Sequence, residues 1–355
     1  MTQPHDATGP ARRVAVLSAA WSPRGGEVAF AARVLAGAAS RLGPVDVFGP
    51  WPAGRRGDGA FDPVGLGLPE PGRRWPSPGA APTATTEAPP PAYRAVLVDG
   101  GDEEAVALAA VRLPGVPVLG IGGPLVPGMA ARLDLVPPGG HTAGSRPVGL
   151  HVPVHALAAE RPHLELGAVG DYLLVLSARP PKDADPDVPC AEVAWLAARY
   201  PRQLTVVVEN AVATVWRSRS CVRRFGVHTR MDLWRLMAHA RATVDLGPGP
   251  LFGRECVESV RYGVPVVVPA SSGAAALARA GAGLRFATTP GLLDAVGELN
   301  REDARAALRA AGAALEPWVG EPHRLVGRLA AALELPTSDV PPDPAPGEAP
   351  GSRER

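Results

Sequence analysis

Read from the amino terminus, the chain alternates short, unbroken apolar runs with longer alanine-rich stretches whose apolar residues recur at helical spacing. RVAVLSAA (Arg13 to Ala20) comes first, followed by a turn, SPRGG, and then EVAFAARVLAGAASRL on a helical period. VDVFGP, AVLVDGG (Ala95 to Gly101) and VPVLGIGG continue the strand series, with a helix over EEAVALAAVRL between the last two. In the second half YLLVLSA, LTVVVEN, ATVDLG and PVVVPA predict strands, while CAEVAWLAARY, MDLWRLMAHA, Arg254 to Tyr262 and AAALARA predict helices. Strands that are apolar throughout and joined by helices imply a parallel sheet covered on both faces. Two such sets in series predict an α/β protein of two Rossmann-like, doubly wound domains facing across a cleft, with ligand at the carboxyl ends of the strands.

The join falls near residues 150–170, between VGLHVPVHAL and YLLVLSA, which sets one domain over 13–155 and a second over 168–320. A last helix, over 321–336, is placed to cross back onto the N-terminal domain. Three stretches, 1–12, 52–92 and 337–355, lack any period and read as disordered, the middle one as a solvated insertion. They hold much of the excess of Gly (41) and Pro (42), for which drift in a GC-rich genome is as good an explanation as regulation.

Charge narrows the function classes. Lys and Arg number 36 against 35 Asp and Glu, a net of +1, which argues against a nucleic-acid or anionic-lipid partner. Cys190, Cys221 and Cys256 lie far apart with no CxxC pattern, so neither a zinc site nor a disulfide framework is indicated and a reducing compartment fits. No apolar run reaches the roughly 18 residues needed to span a bilayer, and the polar start MTQPHDATGPARR lacks a secretory core. The expected location is the cytoplasm.

The chemistry concentrates between Val244 and Phe286, which reads as strand, Gly-Pro loop, short helix, Gly263 as helix stop, strand, a second small-residue loop and a helix. Both loops, Gly247 to Pro250 and Ser271 to Gly273, lead into helix N-termini, whose backbone N–H groups and dipoles suit a diphosphate. This stretch resembles the donor half of the retaining glycosyltransferase family 4, of GT-B fold: Phe252-Gly253, then Glu258, Gly263 and Pro265-Val266-Val267, and later Gly283-Leu284-Arg285-Phe286. SARPPK is similar to the family's basic loop, and SPRGGEVAF to its glycine-rich turn over the donor phosphates. The likeness covers about residues 13–50 and 93–335 and is strongest from 220 to 290.

The resemblance implies a donor site made of Gly25, Gly26, Arg179, Lys182, Phe252, Gly253, Glu258, Ser272 and Gly273, with Glu258 on the ribose. It also implies departures. The family's first, sugar-facing glutamate falls on Pro250, for which Glu255, one helical turn before Glu258, is the substitute. The family's N-domain histidine is missing from Leu119-Gly120-Ile121-Gly122, leaving Asp99, at the end of the preceding strand, as the acidic group facing the cleft. Asp99 and Glu255 are therefore the catalytic candidates.

Each has a plainer rival. Glu258 pairs with Arg261 at i+3; Asp99 is a helix cap in competition with Asp102; Arg179 and Lys182 are solvated residues of a proline loop; Gly25-Gly26 is an ordinary strand–helix turn. His151 and His155 near the join, and His228 and Trp234 beyond it, read as structural, and the alternating acids of Asp183 to Asp187 as solvated rather than metal-binding. No GxGxxG follows the first strand, which removes a single-site dinucleotide enzyme. Two readings remain. One is a transferase moving a sugar from a nucleotide-diphosphate donor to a hydroxyl acceptor, with retention and without metal or bound cofactor. The other is a catalytically degenerate relative that binds a nucleotide or a partner protein.

Overall fold

A computed structural model describes residues 13–18, 26–48, 93–99, 102–135, 144–155, 172–176, 191–210, 221–227, 229–247 and 252–334. The predicted disordered stretches 1–12, 52–92 and 337–355 lie outside the described residues, as do Gly25, Pro250, Arg179, Lys182, His228, Cys190 and Asp183 to Asp187.

The first half is a parallel sheet in the order β2-β1-β3-β4-β5-β6. Its strands are β1 (Arg13–Leu17), β2 (Val45–Phe48), β3 (Tyr93–Asp99), β4 (Val118–Ile121), β5 (Ala131–Asp134) and β6 (Ser145–Pro147), with helices α1 (Gly26–Ser40) and α2 (Glu103–Arg112). The second sheet runs β9-β8-β7-β10-β11-β12, again parallel throughout. It comprises β7 (Tyr172–Leu176), β8 (Leu204–Asn210), β9 (Val222–Val227), β10 (Ala242–Asp245), β11 (Val266–Pro269) and β12 (Gly283–Phe286). Helices α3 (Ala191–Arg199), α4 (Arg230–Ala238), α5 (Arg254–Arg261), α6 (Ala275–Arg279) and α7 (Thr289–Glu298) alternate with these strands. Then follow α8 (Glu302–Ala313), α9 (Glu316–Val319) and α10 (Pro322–Ala332). The predicted α/β class and the strands with continuous apolar runs are all present. Four strands that the pattern did not announce are β5, β6, β9 and β12, and their sequences ARLD, SRP, VRRFGV and GLRF show why. Three lie at sheet edges and the fourth beside one, where half the side chains meet water and the apolar run is broken.

The second sheet has the 3-2-1-4-5-6 order of a dinucleotide-type fold, with its reversal of direction between β7 and β10. In the first sheet the corresponding reversal lies between β1 and β3. Ligands of open α/β sheets lodge where two neighbouring strands send their connections to opposite faces. The pieces that follow β1 and β10 are α1 and α5, so these helices bring their first turns to the two crevices.

The halves share a core. Phe30, Val34 and Leu35 of α1, Leu119 and Leu133 of the first sheet, Val257 of α5, Leu277 of α6 and Leu325 and Leu329 of α10 form one buried cluster. The C-terminal helix α10 packs on α1 and on the outer edge of the first sheet. Arg328 donates through Nε to the Val148 carbonyl at 2.7 Å, and Arg146 donates to the Ala332 carbonyl. The crossing chain also pairs with the linker: Leu150 N–H donates to Trp318 and Val152 N–H to Val319, at 3.2 and 2.8 Å.

Candidate functional site

Helix α5 begins at the carboxyl edge of the second sheet, and its start is fixed by glycine. Gly253 is left-handed (φ 67°), and a β-carbon there would stand 2.5 Å from the Ala274 β-carbon at the start of α6. Only glycine fits both demands, so the loop and helix are locked against α6. Phe252, just before it, is 2% exposed and faces the Phe30 ring, centroids 6.4 Å apart. Phe252, expected as a donor contact, has its side chain buried, where it seats α5 against α1.

One turn into α5 the two glutamates predicted from sequence converge on one guanidinium. Arg230, at the start of α4, donates from Nη1 to Glu255 Oε1 at 2.8 Å and from Nε to Glu258 Oε1 at 3.1 Å, with its Nη2 bonded to the second Glu258 oxygen. Arg254 closes the other side, Nε to Glu258 Oε1 at 3.0 Å. Glu258 has 0% exposure, whereas Glu255 and Arg230 are 36% and 29% exposed and open to the crevice. Glu258 does not pair with Arg261, the i+3 rival; that arginine reaches Glu316 instead. Burial pushes the Glu258 carboxyl up from its ordinary value, and Arg230 and Arg254 pull it back. Burial also works against ionised Glu255, but the Arg230 guanidinium beside it outweighs this and holds its carboxyl below the usual range. The result is a two-arginine, two-glutamate cluster in which Glu258 is structural ballast for the cations and Glu255 is the carboxylate that faces outward.

The first sheet answers with a carboxylate of its own. Glu27, in the first turn of α1, accepts the backbone N–H of Arg254 across the cleft, and the Arg254 guanidinium lies 3.9 Å over the Phe30 ring one turn further along. Burial dominates the Glu27 environment and raises its carboxyl to about 7 against the pull of the backbone N–H groups, with Glu255 and Asp245 adding to the rise. Asp245, the last residue of β10, accepts from Gly247 N–H at 2.9 Å and is met by the buried Cys256 thiol.

The other predicted positions fall as follows. Asp99 ends β3 and is buried at the carboxyl edge of the first sheet, while Asp102 is the helix cap, accepting from Ala105 N–H at 2.9 Å. The competition for the cap is thus settled in favour of Asp102, and Asp99 stands in the first crevice. Gly26 opens α1. Ser272 is buried and turned onto its own loop, its hydroxyl donating to the Pro269 carbonyl at 2.9 Å, and the Gly273 carbonyl accepts from Ala276 N–H at 3.2 Å. The helix they lead into, α6, has only five residues, so the second loop offers a far weaker helix end than α5 does. Trp234 is in the core, as read. His151 sits in the linker, with its imidazole held down to about 4 by burial and by Arg261. His155 engages the Tyr262 hydroxyl through its backbone N–H and carbonyl. Arg230, Arg254 and Glu27 were not anticipated. Arg254 and Glu27 carried a signal, each standing in the first turn after a glycine; Arg230 carried none, since it is joined to α5 only by the packing of α4 on it.

Among the described residues no group of three or more His, Cys, Asp or Glu side chains is arranged to hold a metal ion. No helix among them is long and apolar enough to cross a membrane.

Comparison with solved structures places the fold. HepE from Anabaena in complex with UDP-glucose superimposes with a TM-score of 0.60 at 15% identity, over 91% of this chain and 99% of that one. The glycotransferase of kitacinnamycin gives 0.55 at 14%, over 92% and 100%, and UGT2 of Phytolacca americana, complexed with UDP-2-fluoroglucose and pterostilbene, gives 0.53 at 11%, over 91% and 99%. Sequence comparison adds nothing to this, for no family model and no curated protein matches the chain. The architecture is the GT-B fold, two facing Rossmann-like sheets.

Proposed function

We propose that this chain is a glycosyltransferase that moves a sugar from a nucleotide-diphosphate donor to a hydroxyl-bearing acceptor, with retention and without a required metal. The observation that carries this is the helix-led crevice at the reversal point of the second sheet, where two arginines are held in place by Glu255 and Glu258. There the first turn of α5, with Arg230 and Arg254, faces the acid-bearing edge of the first sheet. Helix N-termini and guanidinium groups favour a diphosphate and its developing charge as the sugar leaves. GT-B proteins similar in fold to this one have been caught with UDP and UDP-glucose. The resemblance to glycosyltransferase family 4 supports retention, and charged donors aimed at the diphosphate support metal independence. Glu255, partly buried and held ionised by Arg230, is the carboxylate offered to the sugar, and Asp99 the one on the acceptor side. The sparse cysteines support work in the cytoplasm.

The second reading, a binding module without turnover, is favoured by one specific feature. Glu258, the residue expected to hold the ribose, has 0% exposure and both oxygens committed to arginines. Donor binding then requires the ribose to be held by other groups, or Arg230 to let go.

Thermal shift and calorimetric titration with UDP, GDP, ADP and TDP, alongside release of nucleotide from the corresponding sugar donors, separates the readings. A nucleotide at 100 times its dissociation constant should add about 2.7 kcal/mol of stability. Binding together with donor turnover that Glu255→Gln abolishes supports the transferase. Binding without turnover supports the module. No binding of any of the four at millimolar concentration removes the transferase and leaves a GT-B shell kept for another contact, such as a partner protein.

A further inference from the structure

Helix α5 has no cap of its own: Gly253 precedes it and offers no side chain. The exposed N–H groups of a first turn need acceptors from elsewhere. Here the acceptor comes from the other half of the molecule, the Glu27 carboxylate on the Arg254 N–H. The surroundings are crowded for such a role. Asp245 and Glu255 raise the cost of a further negative charge, and the backbone N–H groups of Arg254 and Gly253 are what offset it. An acid so placed normally ionises readily beside a helix N-terminus; Glu27 is instead held up to about 7 by burial, so its charge is poorly solvated where it sits. It is an anion-shaped occupant bound at the N–H groups a phosphate would use, and bound with little net gain.

We infer that Glu27 is an internal stand-in for a phosphate group: it occupies the first turn of α5 while the site is empty, and an incoming nucleoside diphosphate displaces it. This rests on the donor-site reading above. A phosphate oxygen carries more charge than a carboxylate and takes several N–H donors at once, so the exchange favours the ligand when Glu27 swings aside. Donor affinity in the resting protein is therefore lower than the bare site provides, because the carboxylate must be removed first.

Calorimetric titration of UDP into the full chain at pH 8, where Glu27 is ionised, tests the exchange. Glu27→Gln keeps the shape and removes the charge; Glu27→Ala removes the occupant; Glu27→Asp keeps the charge but shortens its reach. The Gln and Ala proteins are expected to bind UDP about tenfold more tightly than the wild type, and Asp by an intermediate factor. Circular dichroism confirms that each is folded. If the wild type binds UDP and the variants bind it equally or more weakly, Glu27 is not a competitor and the stand-in is overturned while the donor site stands. If none of the four proteins binds UDP, GDP, ADP or TDP, the donor-site reading falls and takes the stand-in with it.

Discussion

Two of the contacts between the halves of the molecule are built on different principles. On the linker side, backbone pairs with backbone: Leu150 and Val152 donate to Trp318 and Val319, and Arg261 donates to the Val152 carbonyl while holding Glu316 at 2.7 and 3.1 Å. The Tyr262 hydroxyl closes on both backbone groups of His155. On the cleft side a single carboxylate, Glu27, rests on one backbone N–H beside an aromatic–cation contact. The first junction joins main chain to main chain with arginine support; the second rests one side chain on a helix N-terminus. The difference between them is open to attack by substitution.

The largest effect is expected behind the cleft contact rather than at it. Arg230→Ala leaves Glu258 buried with Arg254 alone, and removing one partner of a buried pair costs about 3–5 kcal/mol. Urea unfolding should show a loss on that scale; a loss below about 1 kcal/mol means the cluster is solvated and the rigid base of the cleft contact does not exist. Gly253→Ala, which puts a β-carbon into Ala274 from a left-handed backbone, is expected to cost about 2–4 kcal/mol. It should also displace α5 from α1, visible as lost fluorescence coupling between labels on the two helices.

At the linker, Arg261→Ala removes a charged hydrogen bond to Val152 and the bidentate pair with Glu316, about 2–3 kcal/mol together. This is the sharpest contrast with Glu27→Gln, which should cost little at neutral pH. Equal losses from the two substitutions in thermal unfolding mean that the junctions do not differ in kind.

The fold was legible because apolar runs such as YLLVL and RVAVL are unambiguous, and because Asp102 is a strong helix start. The edge strands β6, β9 and β12 were not, since Arg146, Arg223 and Arg285 interrupt their apolar patterns. At the cluster, Glu258 was singled out by the resemblance to glycosyltransferase family 4 and Glu255 as its neighbour one turn before. Their partner Arg230 was not, because a 25- and 28-residue separation along the chain carries no periodic signal. The burial of Phe252 and the inward turn of the Ser272 hydroxyl were equally hidden: a motif fixes which residues stand near a crevice, while packing from α1 and α6 decides which of them face it.

The smallest effect is the most specific, and it concerns acid and base. Glu27 is raised to about 7 and His151 lowered to about 4, so the two junctions respond to pH in opposite senses. Glu27 binds its proton more tightly in the folded state, so its contribution is full below its ordinary value near 4.5 and is lost as pH rises through about 7. His151 resists its proton when folded; its contribution is present above its ordinary value of 6.5 and is lost as pH falls toward 4. Between pH 4.5 and 6.5 the slopes oppose each other and the wild-type stability should vary little. Glu27→Gln removes the falling slope, and the remaining curve should climb by about 1–2 kcal/mol across that window once solvent screening is allowed for. His151→Asn removes the rising slope and should leave a protein that weakens over the same interval. Two flat curves would mean that neither junction is desolvated as the geometry has it. Two opposite slopes would mean that the linker loosens in acid and the cleft contact in base, each by its own group.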